Sequence, residues 1–302
     1  MYCYHLYGLK ITAPVSFPEV PETDAFEPAD ADACMSFDAP PDWVLEQYRA
    51  GRFSDISRDV MWFRLYDEVL IYVEGGRDVR ILKLDDSIAE SRLHTYILSG
   101  AMTFLLLQRG HIPIHGSAVS LGNKAYIISG SSGSGKSTTA LELLQTPDFR
   151  FASDDICAVR LTEGRALLCP GPPWQRVCRD VAGRYSGYTY TPIEEQDCKF
   201  GRRLTDGYLT DPAPVGGMFI LSRQDCFCPQ LTPLSGEQKF QALTHNLFRG
   251  ELHHLLGLTP EKMLQLFALT NSFPIYELKR PAGQNTLARV CSLIQDEIRR
   301  LN

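Results

Sequence analysis

Basic residues are the scarcer charged class in this sequence: 30 Lys and Arg stand against 36 Asp and Glu, a formal net charge of −6. A general polyanion binder releases counterions through a surplus of Lys and Arg, so nucleic acid is not an expected partner. Long apolar runs are also missing. The longest, Ile97 to Leu107, is interrupted by Ser99, Gly100 and Thr103 and falls short of the roughly 20 residues that a membrane-crossing helix needs. The start, MYCYHLYGLK, lacks a basic stretch followed by an apolar core, so no secretory signal is expected and the reading is a cytoplasmic protein with no membrane partner. The nine cysteines form no CxxC pair, the nearest two being Cys226 and Cys228, which points to reduced thiols and away from a cysteine-bound metal. There is no repeat of fixed period and no low-complexity tract.

With 302 residues, 44% hydrophobic and 22% charged, the chain can bury a substantial core, and two domains are expected. Residues 1–86 read as a β-rich domain of short strands: Tyr2 to Ile11, Ala33 to Asp38, Val60 to Leu65, Val69 to Glu74 and Val79 to Leu84. Ser87 with Glu90 matches a capping box, and Leu93, Tyr96, Ile97, Ala101, Phe104 and Leu105 follow at helical spacing. Residues 87–110 are therefore expected as a long amphipathic helix joining the two halves. In residues 111–302 strands and helices alternate, which predicts an α/β fold class. The polar, Gly- and Tyr-rich piece from Gly183 to Pro214 is expected as a mobile loop.

The segment Gly130-Ser131-Ser132-Gly133-Ser134-Gly135-Lys136-Ser137 satisfies the pattern GxxxxGK[ST], and Thr138 follows it. Phosphate oxygens need several donors converging on a small volume, and backbone N–H groups converge only where side chains are absent. A helix beginning near Lys136 adds unpaired amides and a positive dipole end. Lys136 is placed to reach the β- and γ-phosphates, and the Ser137 hydroxyl is a hard oxygen suited to Mg²⁺. With glycine near 7% of average composition, a chance match in a chain of this length is on the order of one in a hundred. A flexible Gly-Ser linker is the competing explanation. It is disfavoured because an apolar strand, Ala125 to Ser129, enters the segment and an apolar-faced helix with Ala140, Leu143 and Leu144 leaves it. The motif predicts a nucleoside triphosphate with Mg²⁺ but does not name the reaction.

The next strand, Phe149 to Ser153, ends in Asp154-Asp155. In a parallel α/β sheet that end lies beside the loop, where a carboxylate can take the proton of an acceptor hydroxyl and another can sit near the metal. Adjacent strand residues point to opposite faces, so the two carboxylates are expected to have different roles. His115, at a strand edge, is by itself ambiguous between a packed and a functional histidine.

Together, His115-Gly116, the loop from Gly130 to Ser137, the helix from Thr138 to Leu144 and Ala152-Ser153-Asp154-Asp155 give the chain its resemblance to a known family. It resembles the HPr serine kinase/phosphorylase family, in particular its shorter kinase-like relatives encoded with peptide-modifying systems. Weaker likenesses continue through Pro170-Gly171-Pro172-Pro173, Thr232-Pro233-Leu234-Ser235 and Phe273-Pro274-Ile275-Tyr276. The resemblance implies the phosphoenolpyruvate-carboxykinase-like version of the P-loop fold and an ATP- and Mg²⁺-dependent kinase acting on a serine of a peptide or protein. Some relatives phosphorylate a serine of a lasso-peptide precursor. Carried onto this sequence, Asp154 is the base on the acceptor hydroxyl, Asp155 and His115 help hold metal and phosphate, and Lys136 serves transfer. The family's Glu-x-Arg-Gly stretch after the Asp pair is absent, so a reverse phosphorylase reaction and HPr as acceptor do not follow. Where relatives show Pro-Arg, this chain has Pro173-Trp174-Gln175-Arg176, leaving Arg176 or Arg179 as replacements.

Two other readings share the motif: phosphoryl transfer to a small molecule, and a nucleotide-binding switch without an acceptor. A Ras-type GTPase ranks last because no NKxD-like string is present. The acceptor, the base preference and the oligomeric state stay open.

Overall fold

In the computed structural model, residues 1–185, 188–193, 199–256 and 259–302 are described. The chain forms two compact units, Met1–Ile112 with Glu251–Gly257, and Pro113–Gly250 with Leu258–Asn302. The whole is mixed α/β with several sheets.

Alternation of buried and solvent-facing residues, as in Asp78–Lys83 where Val79 and Ile81 are buried, produces the strands of the first unit. These are β1 (Tyr2–Leu6), β2 (Leu9–Ala13), β3 (Ala33–Ser36), β4 (Ser54–Ile56), β5 (Val60–Leu65), β6 (Val69–Glu74) and β7 (Asp78–Lys83). Among the described residues they form one sheet in the order β1-β2-β3-β7-β6-β5-β4. The single strand expected from Tyr2 to Ile11 is two, because Tyr7 and Gly8 at φ 54° and 73° turn the chain back on itself. A helix not expected, α1 (Asp42–Arg49), lays Val44 against Trp62, Leu70 and Tyr72.

The helix expected at 87–110 is α2 (Glu90–Thr95), a π-helical stretch (Tyr96–Ala101) and α3 (Met102–Gln108). Two details differ from expectation. The Ser87 hydroxyl bonds the Asp85 carboxylate, so it does not cap the helix, whose N-cap position is Ala89. Met102 to Leu107 are all buried, Thr103 included, so this end is enclosed on every side and not amphipathic.

The chain continues with β8 (Ile112–Leu121), β9 (Lys124–Gly130), α4 (Lys136–Leu143), β10 (Phe149–Ser153), β11 (Ile156–Thr162), β12 (Arg165–Cys169) and β13 (Trp174–Cys178). Then come α5 (Arg179–Ala182), β14 (Tyr190–Pro192), β15 (Lys199–Arg203), β16 (Ala213–Gln224), β17 (Gln230–Pro233), α6 (Gly236–His245), α7 (Gly250–Leu255), α8 (Pro260–Ser272), β18 (Ile275–Pro281) and α9 (Leu287–Leu301). Strands β9, β16 and β18 are mutually parallel neighbours, whereas β8 runs antiparallel to both β9 and β10. The sheet is thus mixed, because the Gly122-Asn123 turn makes β8 and β9 a hairpin. Strands β9, β10, β16 and β18 still share one direction, so their carboxyl ends lie along one edge.

One face of this sheet is covered by α4 and α9, whose Ala140, Leu143, Val290, Ile294 and Ile298 pack on Ile128, Phe219, Leu221 and Tyr276. Trp174–Cys178, Lys199–Arg203 and Tyr190–Pro192 make a small sheet in the order β13-β15-β14. Its strands β14 and β15 fall within the loop expected from Gly183 to Pro214; residues 186–187 and 194–198 of that expectation lie outside the described residues. The tyrosines are the reason: Tyr185, Tyr188 and Tyr190 pack against Leu141, Val177 and Val181, and the Arg202 guanidinium lies 3.4 Å from the centre of the Tyr188 ring. No helix among the described residues is long and apolar enough to cross a membrane.

Phe219 is fully buried, with its ring stacked 5.3 Å from that of Tyr276. Phe219→Ala is expected to cost about 3–5 kcal/mol, read as a lower urea midpoint of the second unit's unfolding; a loss under about 1 kcal/mol would contradict the packing described.

Candidate functional site

The apolar run of β9 delivers the chain to the sheet's edge, and the glycines then bend it back into α4. A Cβ on Gly130 would lie 2.3 Å from the carbonyl oxygen of Leu221 in the adjoining β16, and its φ is +131°. Only glycine fits there. Gly133 and Gly135 also have positive φ, +73° and +103°, the latter as the N-cap of α4. Ser131, Ser132 and Gly133 are exposed and Ser134 is buried, whereas Lys136 is buried with its Nζ 2.9 Å and 3.1 Å from the carbonyl oxygens of Gly130 and Ser131.

Beside this loop β10 ends and Asp154 follows. Its carboxylate is buried: Oδ1 accepts from Ser117 Oγ and, at 3.0 Å, from Ser137 Oγ, while Oδ2 accepts from the Arg176 N–H at 2.8 Å. Burial, with a smaller contribution from the adjacent Asp155 charge, raises its pKa against the lowering effect of those donors. Asp155 has φ +69° and so has left the strand's alternation. Its carboxylate is about a third exposed, with Oδ1 3.5 Å from His115 Nδ1 and Oδ2 3.4 Å from an Arg176 nitrogen. Burial and the Lys136 charge lower the pKa of His115, outweighing Asp155, so the imidazole is held neutral near pH 7. Burial likewise lowers the pKa of Lys136, opposed by the charges of Asp155 and Asp154.

A cavity of about 710 Å³ opens onto this edge. Of the residues singled out from the sequence, His115, Ser132, Gly133, Gly135, Lys136, Ser137, Thr138, Asp154 and Asp155 line it; Gly130, Ser131 and Ser134 shape the loop without forming its wall.

No protein-family model and no curated protein matches the chain. Among solved structures, that of the Hpr(Ser) kinase/phosphatase from Coxiella burnetii is similar at a TM-score of 0.35 and 11% identity, over 63% of this chain and 92% of that one. Similarity of that degree decides nothing about chemistry.

Four residues that motif reading did not single out belong to the same constellation. Ser117 lies two positions after His115 on β8, a spacing that alternation could have flagged. The fully buried Gln175 donates to the Ser137 carbonyl at 3.2 Å and accepts from Arg202 at 3.4 Å. Arg223 and Arg280, the penultimate residues of β16 and β18, pair in register and donate at 2.6 Å to the carbonyls of Gly133 and Ser134 respectively. Their only sequence signal is a basic residue closing an apolar strand.

The glycine geometry makes a graded prediction. Gly130→Ala meets backbone 2.3 Å away and should cost well over 2 kcal/mol. Gly133→Ala, with open space around it, should cost about 1 kcal/mol from φ alone. Equal midpoints in urea unfolding would contradict the close approach of β16.

Proposed function

We propose that this protein is an ATP- and Mg²⁺-dependent kinase that transfers the γ-phosphate to a serine hydroxyl of a peptide or protein. Part of the proposal is the division into a β-rich part (residues 1–86), a connecting helix (87–110) and a P-loop kinase-like part (111–302). The observation that carries it is the contact between Asp154 and Ser137, beside Lys136 and next to the second carboxylate Asp155. In an octahedral Mg²⁺ site with bonds of 2.0–2.1 Å, neighbouring ligand oxygens stand about 2.9 Å apart. Ser137 Oγ and Asp154 Oδ1, at 3.0 Å, match that edge, and both are hard oxygen donors. Ser137 and Asp154 would hold Mg²⁺ there, and the ion would supply positive charge to offset that of the phosphates.

Residues 130–138 would cradle the phosphates with their amides, and Lys136 would exchange the loop carbonyls for phosphate oxygens. This geometry favours an exchange of the roles that the family resemblance implies. Asp154 fits the metal because its carboxylate is fixed beside the Ser137 hydroxyl. Asp155 fits the base: it lines the cavity, is about a third exposed, is oriented by Arg176 through its carboxylate, and has a neutral His115 against its backbone carbonyl. The acceptor hydroxyl would give its proton to Asp155 while its oxygen bonds the γ-phosphorus and the diphosphate leaves with the electron pair of the broken bond.

Three variants test this reading. Lys136→Ala should weaken ATP binding by calorimetry and abolish transfer. Asp154→Asn should raise the Mg²⁺ concentration needed for ATP binding, whereas Asp155→Asn should bind MgATP normally and transfer to serine-containing peptides about 10²- to 10⁴-fold more slowly. Loss of Mg²⁺ affinity in Asp155→Asn alone would restore the opposite assignment, and full activity in both would refute the kinase reading.

A further inference from the structure

A glycine-rich loop carries a carbonyl for every amide, and a carbonyl turned toward a phosphate repels it. In this protein the carbonyls of Gly130 and Ser131 are taken by Lys136, that of Gly133 by Arg223 and that of Ser134 by Arg280. The two arginines arrive from neighbouring parallel strands at paired positions. Like charges facing each other across strands are ordinarily destabilising. Both side chains nevertheless line the cavity. Arg280 is half-buried, its Nε is buried without a hydrogen-bond partner among the described residues, and a Cβ on Gly135 would come within 3.2 Å of its terminal nitrogen. The guanidinium therefore packs against the loop at a position where a side chain on residue 135 would crowd it. Burial and the Arg223 charge also depress the Arg280 pKa, as expected of two cations held together.

We propose that Arg223 and Arg280 are positioning residues for a polyphosphate: they hold the carbonyls of Gly133 and Ser134 so that the loop's amides remain for the ligand, and their paired charge is relieved when the anion binds. The inference rests on the triphosphate reading of the preceding subsection. Because the planar peptide couples each carbonyl to the following amide, fixing the Ser134 carbonyl on Arg280 also fixes the direction of the Gly135 N–H at the start of α4. Bonds to charged donors of this kind are worth enough that losing one should weaken binding about tenfold to a hundredfold.

The test is calorimetry of MgATP and MgADP with the full-length chain and with Arg223→Met, Arg223→Lys, Arg280→Met and Arg280→Lys, each checked for its melting temperature without nucleotide. Residues that set the shape of the loop act on every ligand the loop holds, so each Met variant should weaken ATP and ADP by similar factors, and each Lys variant, which keeps a charged donor, should recover most of the loss. A loss confined to ATP would mean direct contact with the γ-phosphate and would overturn the positioning role. Unchanged affinities would overturn it as well. If Arg280→Met does not fold, Arg223→Met and the two Lys variants decide in the same way. Wild-type protein that binds neither nucleotide would refute the triphosphate reading itself, and the inference with it, a result distinct from wild-type binding that the variants leave intact.

Discussion

The carboxylate of Asp154 is out of water, and groups from three separate elements close on it: the Ser117 hydroxyl from β8, the Ser137 hydroxyl from α4 and the Arg176 N–H from β13. An ionised carboxylate buried without such donors would cost several kcal/mol, so none of these elements can shift without exposing that cost. Gln175 extends the tie by holding the Ser137 carbonyl while accepting from Arg202, which anchors the small sheet to the start of α4. Burial still raises the Asp154 pKa despite the three donors. The donors offset the desolvation only in part.

A second constraint is the direction of the strands. The hairpin of β8 and β9 breaks the parallel sheet, yet β9, β10, β16 and β18 end on the same edge, which is why residues 130–135, Asp154, Arg223 and Arg280 meet although they are far apart in sequence. The close approach of Gly130 to Leu221 fixes how tightly the loop can follow β16. The arginine at the end of β16 is then within reach of the Gly133 carbonyl.

The local parts of this arrangement were legible in the sequence. The glycine spacing, the apolar run before it and the helical face after it identify β9, the loop and α4, and Phe149 to Ser153 is read to the residue. What was not legible depends on contacts between distant segments. Tyr185, Tyr188 and Tyr190 look like loop residues until Leu141, Val177 and Val181 are brought beneath them, and Arg223 and Arg280 carry no pattern until parallel pairing sets them side by side. The strand alternation applied to the Asp pair does not extend that far, for a local reason. The strand ends at Ser153, and Asp155 turns at a positive φ that no period-two pattern anticipates.

That turn gives two neighbouring carboxylates different surroundings, and on the proposed reading the difference is the chemistry. A metal ligand benefits from a fixed position and few alternatives; Asp154 is buried and bonded on both oxygens. A group that must accept a proton and then release it needs a path to solvent and a partner that steadies it without protonating it. Asp155 is partly exposed, and Arg176 and His115 touch its two oxygens. Burial and Lys136 keep that imidazole neutral, so His115, whose Nδ1 lies 3.3 Å from the Asp155 carbonyl oxygen, adds no second positive charge beside Arg176. Lys136 therefore acts at two points of the site: on the loop carbonyls it holds, and on the protonation state of His115 beside Asp155.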